Sequence, residues 1–169
     1  PERRNDRRWP TQLRPGFRQL SILVCPNDRR RVSRSLATAA NRDPDQALRS
    51  YIFNGWNDYF KVRLGYGSAD QALQKAMPES ALTEPNLTIV IGEKLTNSDH
   101  FYMDFLEGND RDQIQRNMHA GGTRRNRSGG SNYTFADGHA ELLKYRGALF
   151  PLNLWAVTET FRTNRALAN

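Results

Sequence analysis

One cysteine, Cys25, is all that the chain of 169 residues contains. It cannot form an internal disulfide, so stability must come from packing or from a metal. Long apolar runs are missing as well. The two longest are Leu20–Cys25, broken by Ser21, and Leu87–Ile91. Both fall far short of the ~20 residues a membrane helix needs. No signal peptide is visible. The opening Pro-Glu-Arg-Arg carries no Met, and reads as the start of an excised fragment. Gly-x-Ser-x-Gly, His-Glu-x-x-His and phosphate-loop motifs are absent, which removes the common hydrolase and nucleotide-binding signatures. No repeat of solenoid or propeller period is seen.

What is present suits a single folded domain. Apolar residues make up 37% and charged residues 25%, enough for a core with long polar loops. The net charge is +7, and it is unevenly spread. Residues 1–18 hold six Arg against Glu2 and Asp6, and the Asp28–Arg34 stretch holds four more Arg. Between Glu84 and Asp112 the sign reverses, with seven acids against Lys94 and Arg111. A basic excess points to an acidic partner, such as nucleic acid, anionic lipid or, for a surface binding module, anionic glycan, or simply to a solvated Arg-rich surface.

Residues 1–19, with Pro10 and Pro15, read as an extended Arg-rich arm or linker, and 20–169 as one domain. Leu20–Val24 reads as a short β-run stopped by Pro26. Asp43-Pro44-Asp45-Gln46 reads as a helix start, followed by a strand over Ser50–Asn54. Ser68-Ala69-Asp70-Gln71 is a capping box, with Leu73 and Met77 behind it and Pro78 closing the helix. Leu87–Ile91 is a central strand. Asp110–Met118 reads as a surface helix and residues 121–132 as loop. Two alternating runs flank Asp137-Gly138, which predicts a β-hairpin with a type I′ turn. The tail from Leu152 to Phe161 fits helix or strand. The sum is an α+β fold: an antiparallel β-sheet with short helices and long loops.

Candidate chemistry is sparse. Cys25, next to an apolar run, reads as a small buried hydrophobe. Zinc from His100, His119 and His139 would need spacings of 19 and 20 residues, which match no compact site. Calcium has a better set in Asp99, Asp104, Glu107, Asp110 and Asp112, hard oxygen donors at loop spacing. The plainer reading of that cluster is an acidic surface facing the Arg-rich arm. Arg124, Arg125 and Arg127 in a Gly-rich loop could hold anions. No helix-turn-helix, RNA-recognition or zinc-finger pattern accompanies them.

The stretch Gly129-Gly130-Ser131-Asn132-Tyr133-Thr134-Phe135-Ala136-Asp137-Gly138 resembles the signature of a bacterial pseudopilin-like family. That family is named for a His, nine residues and an Asp-Gly. Here 17 residues separate His119 from Asp137. Treating Gly121–Ser128 as a loop insertion restores nine. Cys25-Pro26-Asn27-Asp28, Ser50-Tyr51-Ile52-Phe53-Asn54-Gly55-Trp56, Val90-Ile91-Gly92-Glu93 and Pro151-Leu152-Asn153-Leu154-Trp155-Ala156-Val157 resemble further elements of it, in order. The resemblance implies a non-catalytic head domain of a type II secretion pseudopilin or type IV pilin-like subunit. Its partners would be other pseudopilin subunits, secretion-system components and exported cargo. It would stand on the periplasmic or extracellular face, anchored by an N-terminal helix that this chain lacks. His119, Gly129, Gly130, Asn132, Phe135, Asp137 and Gly138 would then form a structural motif, with His119 bonded to the hairpin or to Asp137.

Overall fold

The computed structural model describes residues 8–28, 43–68, 71, 75–105, 110–119 and 128–164. Among these, five strands form one sheet in the order β3-β1-β2-β4-β5. They are β1 (Tyr51–Asn54), β2 (Ile89–Glu93), β3 (Tyr102–Met103), β4 (Gly130–Phe135) and β5 (Ala140–Lys144). Short α-helices accompany them: α1 (Trp9–Gln12), α2 (Asn57–Leu64) and α3 (Glu159–Arg162). The fold is α+β. β1–β2, β2–β4 and β4–β5 pair antiparallel, as expected, whereas β1 and β3 run parallel, so the sheet is mixed. The reason is connectivity. After β2 the chain reverses and passes to the far side of β1, and two reversals leave β3 running with β1.

Period-two alternation gives the sheet two covered faces. On β1, Ile52 enters the main core with Ile89, Met103, Tyr133, Phe135 and Trp155. Its neighbours Tyr51 and Phe53 pack on the opposite face against Trp9, Leu23 and Ala47. The N-terminal segment is therefore not an extended arm from residue 8 onward. It carries α1 and a 3-10 turn at Arg14–Gly16, and it buries Trp9.

Other expectations are corrected in the same region. Leu20–Leu23 is a 3-10 helix, not a strand. It has no strand neighbour to pair with, and the three-residue turn sets Leu20 and Leu23 on one side. Asp43 caps a single turn, accepting the Asp45 N–H at 2.9 Å, and no helix propagates from it. Gln71 Oε1 accepts the Ser68 N–H at 3.2 Å, as a capping box requires. The middle of that predicted helix lies outside the described residues, and its end, residues 75–78, is not helical. Asp110–Gln113 is a 3-10 turn, after which Ile114 bridges to Lys94 instead of continuing a helix. β4 begins at Gly130, inside the span 121–132 read as loop, and 121–127 lie outside the described residues.

The β4–β5 hairpin forms, but its turn is not type I′. The Gly138 N–H donates to the Phe135 carbonyl at 3.0 Å and the Phe135 N–H to the His139 carbonyl at 2.9 Å. That is a three-residue loop, Ala136-Asp137-Gly138, in which Gly138 takes φ +93° and Asp137 does not turn positive. A tight turn followed by a left-handed glycine serves this loop length, and glycine bears the positive φ without a Cβ clash.

Asp58 on α2 fastens the C-terminal segment. Its Oδ2 accepts from the Val157 N–H (2.9 Å), the Thr158 N–H (2.7 Å) and the Thr158 hydroxyl (2.9 Å). Burial nonetheless pushes this carboxyl above its ordinary range, outweighing those donors. A raised folded pKa favours the protonated native state. Its contribution is full below the unfolded value of ~3.9 and is lost as pH rises through the folded one. The excess stability of the wild type over Asp58→Asn should therefore shrink as pH rises from about 4. Urea unfolding of both proteins from that pH upward checks it, and parallel profiles would refute the assignment.

Candidate functional site

The site is built on the sheet face that the N-terminal segment covers. Cys25-Pro26-Asn27-Asp28 forms a tight turn, closed by the Asp28 N–H donating to the Cys25 carbonyl at 2.9 Å. Pro26 sits at its second position, where its fixed φ is already correct. The buried Asp28 carboxylate accepts from the Ser50 hydroxyl at 2.8 Å and the Thr96 hydroxyl at 2.9 Å. These bonds lock the turn to the head of β1 and to the loop after β2. Cys25 and Asn27 are thereby carried to the end of β2.

That end is Glu93, paired with Tyr51 across the sheet and only 1% exposed. One carboxylate oxygen, Oε2, accepts the backbone N–H of Asn132 on β4 at 3.1 Å. The other, Oε1, lies 2.7 Å from His119 Nε2. His119 is held by two backbone hydrogen bonds with Gly130, of 2.9 and 3.2 Å. The residues treated as a loop insertion, save Ser128, lie outside the described residues. Three further contacts reach the imidazole. Cys25 Sγ is 3.6 Å and the Asn132 amide 3.0 Å from Nε2, and the Asn27 amide is 2.9 Å from Nδ1.

The electrostatics follow from burial. It pushes the Cys25 thiol up to about 11, with Glu93 adding to the rise and the N–H groups of Asn27 and Asp28 opposing it. By itself this thiol is protonated at neutral pH and is a poor nucleophile. Tyr51, close by, is pushed up to about 12 by burial and then by Cys25 and Glu93.

The residues singled out from the sequence divide into those that meet here and those that do not. His119, Gly130 and Asn132 meet, and Gly129 leads into Gly130 at φ +106°. Phe135 lies in the main core, stacked on His139 at 4.3 Å. Asp137 is not the partner of His119. It binds His139, Oδ1 to Nδ1 at 2.6 Å, and the His139 N–H and side chain hold its carboxyl below the usual range. Glu93 takes the place expected of Asp137, because it lies beside the start of β4 and the hairpin turn lies at the other end.

The acidic residues do not converge on one point among those described. Asp99 and Asp112 are exposed. Asp110 is buried, facing His100 at 2.6 Å and accepting the Asp104 N–H at 2.6 Å. Glu107 lies outside the described residues, as do Arg124, Arg125 and Arg127. Among the described residues, the group of three with metal-binding donors is Cys25, Glu93 and His119, whose atoms lie within 4.8 Å of one another. Reading Cys25 as packing alone missed it. The usable signal was that Cys25, Glu93 and His119 belong to three separate motif segments and all carry metal-competent side chains.

Comparisons with family models, with curated proteins and with solved structures find no match to this chain. No helix among the described residues is long and apolar enough to cross a membrane.

Proposed function

We propose that this chain is the head domain of a pseudopilin-like subunit of a bacterial secretion filament, with a structural role. The observation that supports this reading is how the motif segments are joined. Ser50 bonds to Asp28, and Glu93 and Asn132 both bond to His119. Asn54 donates to the Trp155 carbonyl at 2.7 Å. Five segments scattered over the chain are thus tied into one polar framework across the sheet. Such a framework suits a head that must keep its shape while its surfaces pack against neighbouring subunits. An N-terminal apolar helix would supply assembly and anchoring, and the head would supply lateral contacts and contact with cargo.

Reading the gene upstream of the Pro1 codon tests the proposal. The expected result is a short basic leader, a prepilin-type cleavage site and ~20 apolar residues running into this chain. A start codon adjoining Pro1, with no such segment, would overturn it.

A further inference from the structure

We propose that Cys25, Glu93 and His119 bind a zinc ion, with the fourth position taken by the Asn132 amide oxygen or a water. The first argument is one of convergence. His119 Nε2 faces Glu93 Oε1 at 2.7 Å, Asn132 Nδ2 at 3.0 Å and Cys25 Sγ at 3.6 Å. The sulfur, the carboxylate oxygen and the ring nitrogen lie within 4.8 Å of one another. With the Asn132 amide turned over to present its oxygen, four donors surround one point, the number a tetrahedral cation takes.

The second argument is geometric. Zinc bonds of ~2.3 Å to sulfur and ~2.1 Å to nitrogen and oxygen, at tetrahedral angles, place S and N ~3.6 Å apart and N and O ~3.4 Å apart. The Cys25–His119 distance is 3.6 Å as it stands. The Glu93–His119 distance of 2.7 Å needs to open by roughly 0.7 Å, a small rotation of a partly exposed ring.

The third argument lies in what supports each ligand. Outer partners orient metal ligands, and here every ligand has one. Asn27 holds His119 through Nδ1, leaving Nε2 for the metal. Turning the Asn27 amide over presents its oxygen to the Nδ1 hydrogen. The Asn132 N–H holds Glu93 Oε2, which leaves Oε1 aimed inward. The backbone N–H groups of Asn27 and Asp28 reach the sulfur. A thiolate, an imidazole and a carboxylate together select zinc, whereas calcium and magnesium take oxygen alone. The ion would cross-link the N-terminal turn, β2 and the residue that bridges to the start of β4, a role that a disulfide cannot fill in a chain with one cysteine. The inference is independent of the filament reading.

The test uses the full chain, stripped with a chelator, dialysed and titrated with zinc against a competing chromophoric chelator. One equivalent should bind, and the Tm should rise by about 5–10 °C at free zinc 100-fold above Kd. Cobalt(II) in place of zinc should give a thiolate-to-metal charge-transfer band. Cys25 is the one cysteine, so that band in the unaltered protein identifies the sulfur. Cys25→Ser should abolish the band. His119→Ala should weaken zinc by more than the ~10–100-fold seen for outer-shell changes. His139→Ala, away from the site, should bind as the wild type does. Failure to bind zinc, or a cobalt complex without the band, would overturn the proposal. So would Cys25→Ser and His119→Ala variants that bind like the wild type. If a variant does not fold, the band in the wild type decides.

Discussion

Gly130→Ala should lower stability by about 3 kcal/mol, the upper end for overpacking, and the Tm by about 6–12 °C in a chain of this size. A Cβ at Gly130 would lie 2.3 Å from the Leu143 carbonyl oxygen and 3.0 Å from its carbon. Neither atom can retreat. Gly130 pairs with Lys144 on one side and with His119 on the other, so it sits in the middle of a hydrogen-bonded ladder. Gly92 provides the comparison. Its added Cβ would meet the Tyr133 and Trp155 rings at 2.7 Å. Rings can tilt, at the cost of their edge-to-face contact, whereas a ladder carbonyl moves only if the ladder opens. Gly130→Ala is therefore expected to be the costlier of the two. Thermal unfolding of both variants checks this, and a Tm for Gly130→Ala within about 2 °C of wild type would refute it.

Asn54→Ala should cost about 3–5 kcal/mol, since each buried polar group left without a partner costs ~1–3 kcal/mol. The Asn54 amide donates to the Ile89 carbonyl at 2.8 Å and to the Trp155 carbonyl at 2.7 Å. Its oxygen accepts the Trp56 N–H at 2.9 Å. The residue is 2% exposed, so water cannot replace those bonds. The third bond also supports Trp56 in a left-handed conformation, φ 57°, at the entry to α2. Asn54→Asp should fare no better, because a carboxylate cannot donate to two carbonyls. Urea unfolding measures both. A loss below about 1 kcal/mol for the alanine variant would mean that the freed carbonyls find new partners.

The strands were legible where local chemistry decides them. Leu87–Ile91 and Ser50–Asn54 carry the β-branched and aromatic residues that a half-buried strand favours, and strands form there over Ile89–Glu93 and Tyr51–Asn54, while Leu87 ends a 3-10 turn that starts at Pro85. Asp137-Gly138 marked the hairpin correctly, but the loop length and the turn type were misjudged, because Ala136 joins the turn. Leu20–Leu23 was misread because four apolar residues fit a strand or a 3-10 turn equally well, and what decides is whether a partner strand lies alongside. β3 was illegible for a related reason. Tyr102 and Met103 have too short a pattern to announce themselves, and they form a strand because Phe53 and Asn54 are there to pair with. The candidate site was named segment by segment but not as a group. Cys25 read as the end of an apolar run and Glu93 as the last residue of a motif segment. Only the folded chain puts them on either side of one imidazole that lies 94 residues from one and 26 from the other.

Those separations also set the order in which the molecule can be made. Asn54 finds its carbonyl 101 residues later, at Trp155, and Asp58 finds its donors at Val157 and Thr158, 99 and 100 residues on. Closures of that length are slow and bring no reward until they are complete. On the ribosome, β1 and α2 must wait with a buried-type Asn and Asp still in water until residues 155–158 have emerged. The β4–β5 hairpin is local and can close at once. The chain is therefore completed from its far end, when the segment 153–158 docks and shuts the core behind it.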